Sequence, residues 1–110
     1  MKNIDEFGQY VVDNWFSSTG QEDNHLRTLF IMTTGLAGET GEVCEKLKKF
    51  IRDNFLDKDA LKKELGDVIH YWARICREFD MQPSDVIATN ISKCDDRRVR
   101  GVTRGSGDNR

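Results

Sequence analysis

The sequence predicts an all-α protein, and three observations carry that expectation. Apolar residues recur at steps of three and four in four separate stretches. No stretch reads convincingly as a strand. The single proline, Pro83, stands where it can begin a helix rather than break one. The expected architecture is four main helices around an antiparallel helical hairpin.

The first helix spans roughly 3–18, with Ile4, Phe7, Val11 and Trp15 on one side. The polar run from Ser17 to Asn24 holds Gly20 and reads as a turn, with Asn24 placed to cap the next helix. That long helical pattern covers about 25–53. Gly35, Gly38 and Gly41 interrupt it, and each costs ~1 kcal/mol against alanine inside a helix. Three glycines within seven residues imply a break near Gly35, close packing against another helix, or both. Residues 54–57 form the connection, and Asp57 caps a third helix over about 58–80. Its stripe is Leu61, Leu65, Val68, Ile69, Trp72, Cys76 and Phe79. A turn at 80–82 leads to a fourth helix from Pro83 to near Val99. The chain thus divides into a helical domain over 1–100 and a Gly-rich basic tail over 101–110, whose composition predicts disorder.

The chain has 110 residues, enough for one domain, and only 37% of them are apolar. Such a chain has little core of its own, so its long helices need a partner surface. Residues 1–92 carry 11 basic and 16 acidic side chains, and residues 93–110 carry 6 and 3, so the basic excess lies at the C-terminal end. Cys44, Cys76 and Cys94 lie in helical patterns without a CxxC or a Cys/His cluster, which reads as buried free thiols in a reducing compartment. The start, MKNIDEFGQY, has no apolar segment of the kind a secretory signal needs. No window approaches the ~18 apolar residues of a membrane span. The expected location is the cytoplasm.

Four carboxylates carry the chemistry. Glu39 and Glu42 are three residues apart on one helix, and Glu64 and Asp67 are three apart on the next, so each pair shares a face. The short connection makes these helices antiparallel neighbours, and the pairs can converge on one groove. Acids gathered there need counter-charge. A hard divalent cation, Mg²⁺ with Mn²⁺ as a substitute, accepts oxygen ligands and leaves positions for phosphate oxygens. The competing account is solvated acids on helix surfaces, because 19 acidic residues in 110 produce such spacings easily.

Basic groups surround this cluster. Lys46 and Lys49 come after Glu42 along roughly the same face, where they can hold a polyphosphate or form ordinary surface pairs. Asn90, Lys93 and Arg97 share a face of the fourth helix. Asn90 either makes a structural hydrogen bond or contacts a base or sugar, with Lys93 and Arg97 taking phosphate charge. The tail, with Ser106, Asp108 and Arg110, can fold back as a backbone-amide nest over an anion. Trp15 and Tyr71 are candidate walls of a nucleobase pocket. His25 reads as solvated and His70 as structural.

These residues carry a family resemblance. GLAGETGEVCEKLKKFIRD and, further on, KKELGDVIHYWARI resemble the MazG-type all-alpha nucleoside triphosphate pyrophosphohydrolases. Their paired ExxE and ExxD is matched by Glu39 to Glu42 and by Glu64 to Asp67. The run of Asn90, Lys93, Arg97, Arg98 and Gly101, then GSGDNR, resembles the C-terminal signature of short, phage-type members. The resemblance covers about residues 26–110 and lacks the second tandem domain of full-length bacterial MazG. It implies Mg²⁺-dependent conversion of a nucleoside triphosphate and water to monophosphate and pyrophosphate, with attack at the α-phosphorus. It implies Glu39, Glu42, Glu64 and Asp67 as both the metal-binding and the catalytic residues, with Glu39 as candidate base. Lys46, Lys49, Lys93 and Arg97 would then neutralise the phosphates, and Asn90 and Trp15 would serve the nucleoside. It also implies dimers, often paired into tetramers.

Three alternatives stand beside this reading. One is a dUTP- or dCTP-type diphosphatase on the same scaffold. Another is a non-enzymatic nucleic-acid binder using the basic C-terminal segment. That segment is short, is interrupted by Asp95, Asp96 and Asp108, and has no recognised motif, which argues against it. The third is a structural helical oligomer with surplus surface acids.

Overall fold

In a computed structural model, the described residues are 3–15 and 24–110. They form four helices and no strand: α1 (Ile4–Asp13), α2 (His25–Asp53), α3 (Lys58–Glu78) and α4 (Pro83–Arg100). None is long and apolar enough to cross a membrane. α3 is the hub. α2 packs along it antiparallel, α1 lies on it, and α4 leans on both α1 and α3.

Helix ends obey their capping chemistry. Asn3, Asn24 and Asp57 accept from the backbone N–H groups of Glu6, Arg27 and Ala60. α2 stops at Asn54, which takes a left-handed conformation (φ 54°). α4 begins at Pro83, and its N-terminus is capped from another helix. Asp5 of α1 accepts from Ser84 N at 2.8 Å and from Ser84 Oγ at 2.5 Å. α4 ends on Gly101 with φ 75°.

Several expectations are corrected. α1 ends at Asp13, where Asn14 turns its amide back to Tyr10 and Val12; the remainder of the expected 3–18 span reaches Trp15 without helix and then leaves the described residues, as does the 17–23 turn. α2 does not break at Gly35. It stays continuous because the Tyr71 ring of α3 occupies the space beside that glycine, so the missing side chain serves packing. Gly38 and Gly41 have no such neighbour: a Cβ at either would meet nothing. Of the three thiols expected in the core, only Cys76 is buried, and Cys44 and Cys94 are exposed.

The tail is also more organised than its composition predicts. The Arg110 guanidinium collects the carbonyls of Val102, Gly107 and Thr103 at 3.1, 2.7 and 3.3 Å. Arg100 donates to the Arg110 carbonyl at 2.6 Å. A set of carbonyl oxygens thus converges on one cation.

The core is small. Val11, Met32, Ala73 and Cys76 are its buried apolar side chains, with Gly8 and Pro83 closing the contact of α1 with α4. A Cβ at Gly8 would stand 2.9 Å from Pro83 Cγ, so this crossing needs glycine.

Candidate active site

The α2–α3 seam runs in one register. Each step forward on α2 is matched by an equal step back on α3. Gly35 meets Tyr71, Glu39 meets Asp67 and Glu64, and Lys46 and Lys49 share a cavity with Ala60 and Asp57. One groove edge therefore runs from an aromatic end, through acids, to a basic end near the hairpin loop.

The acids stand at its middle. Glu39, Glu64 and Asp67 offer oxygens that all lie within 4.8 Å of one another. Burial, then repulsion from Asp67, Glu64 and Glu42 and a hydrogen bond with Glu64, pushes the Glu39 carboxyl above its ordinary value. This is the electrostatic signature of a site short of positive charge, and three oxygens so close fit a hard divalent cation. Glu42 is exposed and stands outside the trio, although its charge is felt at Glu39.

At the basic end, Lys46 and Lys49 line a cavity of about 260 Å³ with Asp53, Phe55, Asp57 and Ala60. Lys49 also lies 3.7 Å from Glu45, which takes Lys48 at 3.2 Å. At the aromatic end, Trp15 stacks on His70 at 6.3 Å and meets Tyr71 edge-on at 6.1 Å. Arg74 lies over the Trp15 ring at 5.0 Å and reaches Glu78 at 2.9 Å, and Glu78 also takes His25 at 2.9 Å. Sequence patterning does not reveal this network; His25 is exposed, as expected, and adds the contact with Glu78. The i,i+4 spacing of Arg74 and Glu78 is its one visible sign. Below the acids, Leu36, Leu65, Val68, Ile69, Trp72 and Ile87 line an open apolar cavity of about 400 Å³.

The α4 candidates are engaged with the tail. Asp108 accepts from Lys93 Nζ at 3.0 Å and from Arg97 at 3.1 Å, and these two cations hold its carboxyl below the ordinary value. Arg97 also donates to the Gly107 and Asp108 carbonyls at 3.4 and 3.1 Å. Its side chain is 8% exposed, and its Nε has no partner. Asn90 is exposed rather than buried, and its Oδ1 accepts from Cys94 Sγ at 3.9 Å. Ser106 lies exposed in the tail. Spacing along α4 gives no sign that Asp108 is the anion Lys93 and Arg97 hold.

Comparison with known proteins gives the family. Residues 27–101 match the MazG nucleotide pyrophosphohydrolase domain. The chain is 42% identical over 90 residues to the Gene 37 protein of Mycobacterium phage L5, covering 77% of this chain and 79% of that protein. No solved structure matches it. The matched segment runs from the first turn of α2 to the end of α4 and contains both carboxylate pairs, so the chain belongs to the MazG nucleotide pyrophosphohydrolase family.

Proposed function

We propose that this protein hydrolyses nucleoside triphosphates to the monophosphate and pyrophosphate with the help of Mg²⁺, for which Mn²⁺ can substitute. The observation that carries the reading is the trio of Glu39, Glu64 and Asp67, with oxygens within 4.8 Å and a Glu39 carboxyl that resists ionisation. Those three residues hold the cation, and Glu42 joins them from the rim. A bound divalent ion supplies Lewis-acid polarisation of the α-phosphate and a lowered pKa for the attacking water.

The remaining steps belong to the chain. Glu39 is the cluster glutamate we assign to take the proton of the attacking water, through an oxygen not engaged with the metal. Lys46 and Lys49 neutralise the phosphates leaving as pyrophosphate, since they lie beyond the acids along the same seam. Trp15 and Tyr71 wall the nucleoside at the opposite end, and Asn90 contacts its base or sugar. Lys93 and Arg97 take further phosphate charge once Asp108 gives them up. Residues 101–110, with Ser106 and Arg110, then close over the phosphates as a tail distinct from the 1–100 domain. The protein works as a self-associated dimer or tetramer on the nucleotide pool of the cytoplasm.

The test is pyrophosphate release with Mg²⁺ across the common nucleoside triphosphates, with dUTP and dCTP included to expose a narrower diphosphatase preference. Release should require metal and fall at least ~100-fold in Asp67→Asn and in Glu64→Gln. Activity retained in both variants would overturn the reading.

A further inference from the structure

The cavity at the hairpin end of the α2–α3 seam holds more chemistry than phosphates need. Its volume is about 260 Å³, and its walls are Lys46, Lys49, Asp53, Phe55, Asp57 and Ala60. The two lysines suit phosphate oxygens. The other polar side chains do not, because Asp53 and Asp57 offset both lysine charges and repel an anion. An aromatic ring adds nothing for a phosphate either.

Both carboxylates are fixed in place. Asp53 takes the Arg52 guanidinium at 2.9 and 2.8 Å, and that contact holds its carboxyl below the usual carboxylate range. Asp57 caps α3 by accepting from Ala60 N at 3.0 Å. A carboxylate has about four acceptor positions, so each can still take a hydroxyl or an amine hydrogen. A phosphate has no such hydrogen to give once it is ionised.

Phe55 supplies the third feature. It stands in the connection directly after Asn54, whose left-handed backbone ends α2, and it is 71% exposed. An open ring beside acceptors is the equipment for a nucleoside, whose base stacks on aromatic faces and whose sugar and base donate hydrogen bonds. The cavity is a little smaller than the ~300–1,000 Å³ typical of small-molecule sites, which suits one nucleoside.

Distance along the seam sets the length of the ligand. Lys46 comes seven residues after Glu39 and Lys49 ten, or about 10 and 15 Å along the helix axis. With the α-phosphate at Glu39, Glu64 and Asp67, the γ-phosphate of a triphosphate comes within reach of Lys46 and stops short of Phe55. A fourth phosphate and a second ribose cover the remainder.

We propose, on the basis of the hydrolase reading, that this cavity is a second nucleoside subsite and that the protein also takes dinucleoside tetraphosphates. The outer base stacks on Phe55, and its amine or the ribose hydroxyls donate to Asp53 and Asp57. The reaction is otherwise the same. The water oxygen bonds to the α-phosphorus of the inner nucleotide, and the bond from that phosphorus to the α–β bridging oxygen breaks. The bridging oxygen keeps the electron pair, and the water proton goes to Glu39. The products are a nucleoside monophosphate and a nucleoside triphosphate, which leaves where pyrophosphate leaves in the shorter substrate.

The test sets symmetrical dinucleoside tetraphosphates of adenine, guanine, uracil and thymine beside the matching triphosphates, with Mg²⁺ and chromatographic separation of products. Monophosphate and triphosphate should appear in equal amounts in the first turnovers. Phe55→Ala, at an exposed loop position, should keep its helical circular dichroism. It should raise KM for the tetraphosphate about tenfold and leave KM for the triphosphate unchanged. Phe55→Trp should restore the tetraphosphate KM, and its added emission over that of Trp15 and Trp72 should be quenched by the tetraphosphate and not by the triphosphate. Hydrolysis of triphosphates alone, cleavage to two nucleoside diphosphates, or a Phe55→Ala effect that is equal for both substrates would overturn the proposal. Failure of both substrates would overturn the hydrolase reading, and this subsite with it.

Discussion

The ring of Tyr71 fills the space where a Cβ on Gly35 would begin. This contact keeps α2 and α3 at close range one helical turn before the carboxylates, so the spacing of the candidate site depends on the absence of one methyl group.

Gly35→Ala therefore sets two effects against each other. Alanine gains ~1 kcal/mol of helix propensity, and displacing the Tyr71 ring costs about 1–3 kcal/mol. Net destabilisation is expected, read as a lower urea midpoint. Gly38→Ala meets nothing within its own chain and should raise the midpoint through the propensity gain.

Metal and pH should act together at Glu39. Its folded pKa is raised above the ordinary 4.5 by burial and by neighbouring acids. The stability it supports is complete below 4.5 and is lost as pH rises through the raised value. Metal-free protein should show a melting temperature that falls across that window. Mg²⁺ should flatten the fall by supplying the missing charge, and Glu39→Gln should remove it. A chelator should lower the melting temperature at neutral pH in the parent chain more than in Asp67→Asn.

Asp108 works with the opposite sign. Lys93 and Arg97 hold its pKa below the ordinary 3.8. The tail contact should persist above 3.8 and be lost as pH falls through the lowered value. Asp108→Asn should imitate that loss at neutral pH. Hydrogen exchange in residues 102–110 should quicken several-fold, with α2 and α3 unchanged. The freed Lys93 and Arg97 should bind inorganic pyrophosphate more tightly.

Asp5→Ala tests the cap that α1 supplies to α4. Losing both Ser84 contacts should loosen the first turn of α4 and lower the melting temperature by a few degrees. Amide exchange should rise at residues 84–86 before it rises in α3.

Much of the helical layout is legible in the sequence because its signals are local. Asn24 and Asp57 cap where their side chains imply, Pro83 opens α4, and the connection between the hairpin helices falls at 54–57. The carboxylate spacing is legible for the same reason, since i,i+3 pairs share a helix face. The register between α2 and α3 is not. It rests on Gly35 against Tyr71, a contact between residues far apart in sequence. The exposure of Glu42 and the hold of Lys93 and Arg97 on Asp108 are hidden for that reason too.

Four helices, their caps and the two carboxylate pairs are written into the chain locally, because periodicity and capping act within a few residues. The packing of those helices settles the rest. It gives Gly35 a role against Tyr71 while Gly38 and Gly41 lie open, and it brings three of the four acids together. Helix pairing depends on which side chains meet across a seam, and that meeting is set by the whole fold.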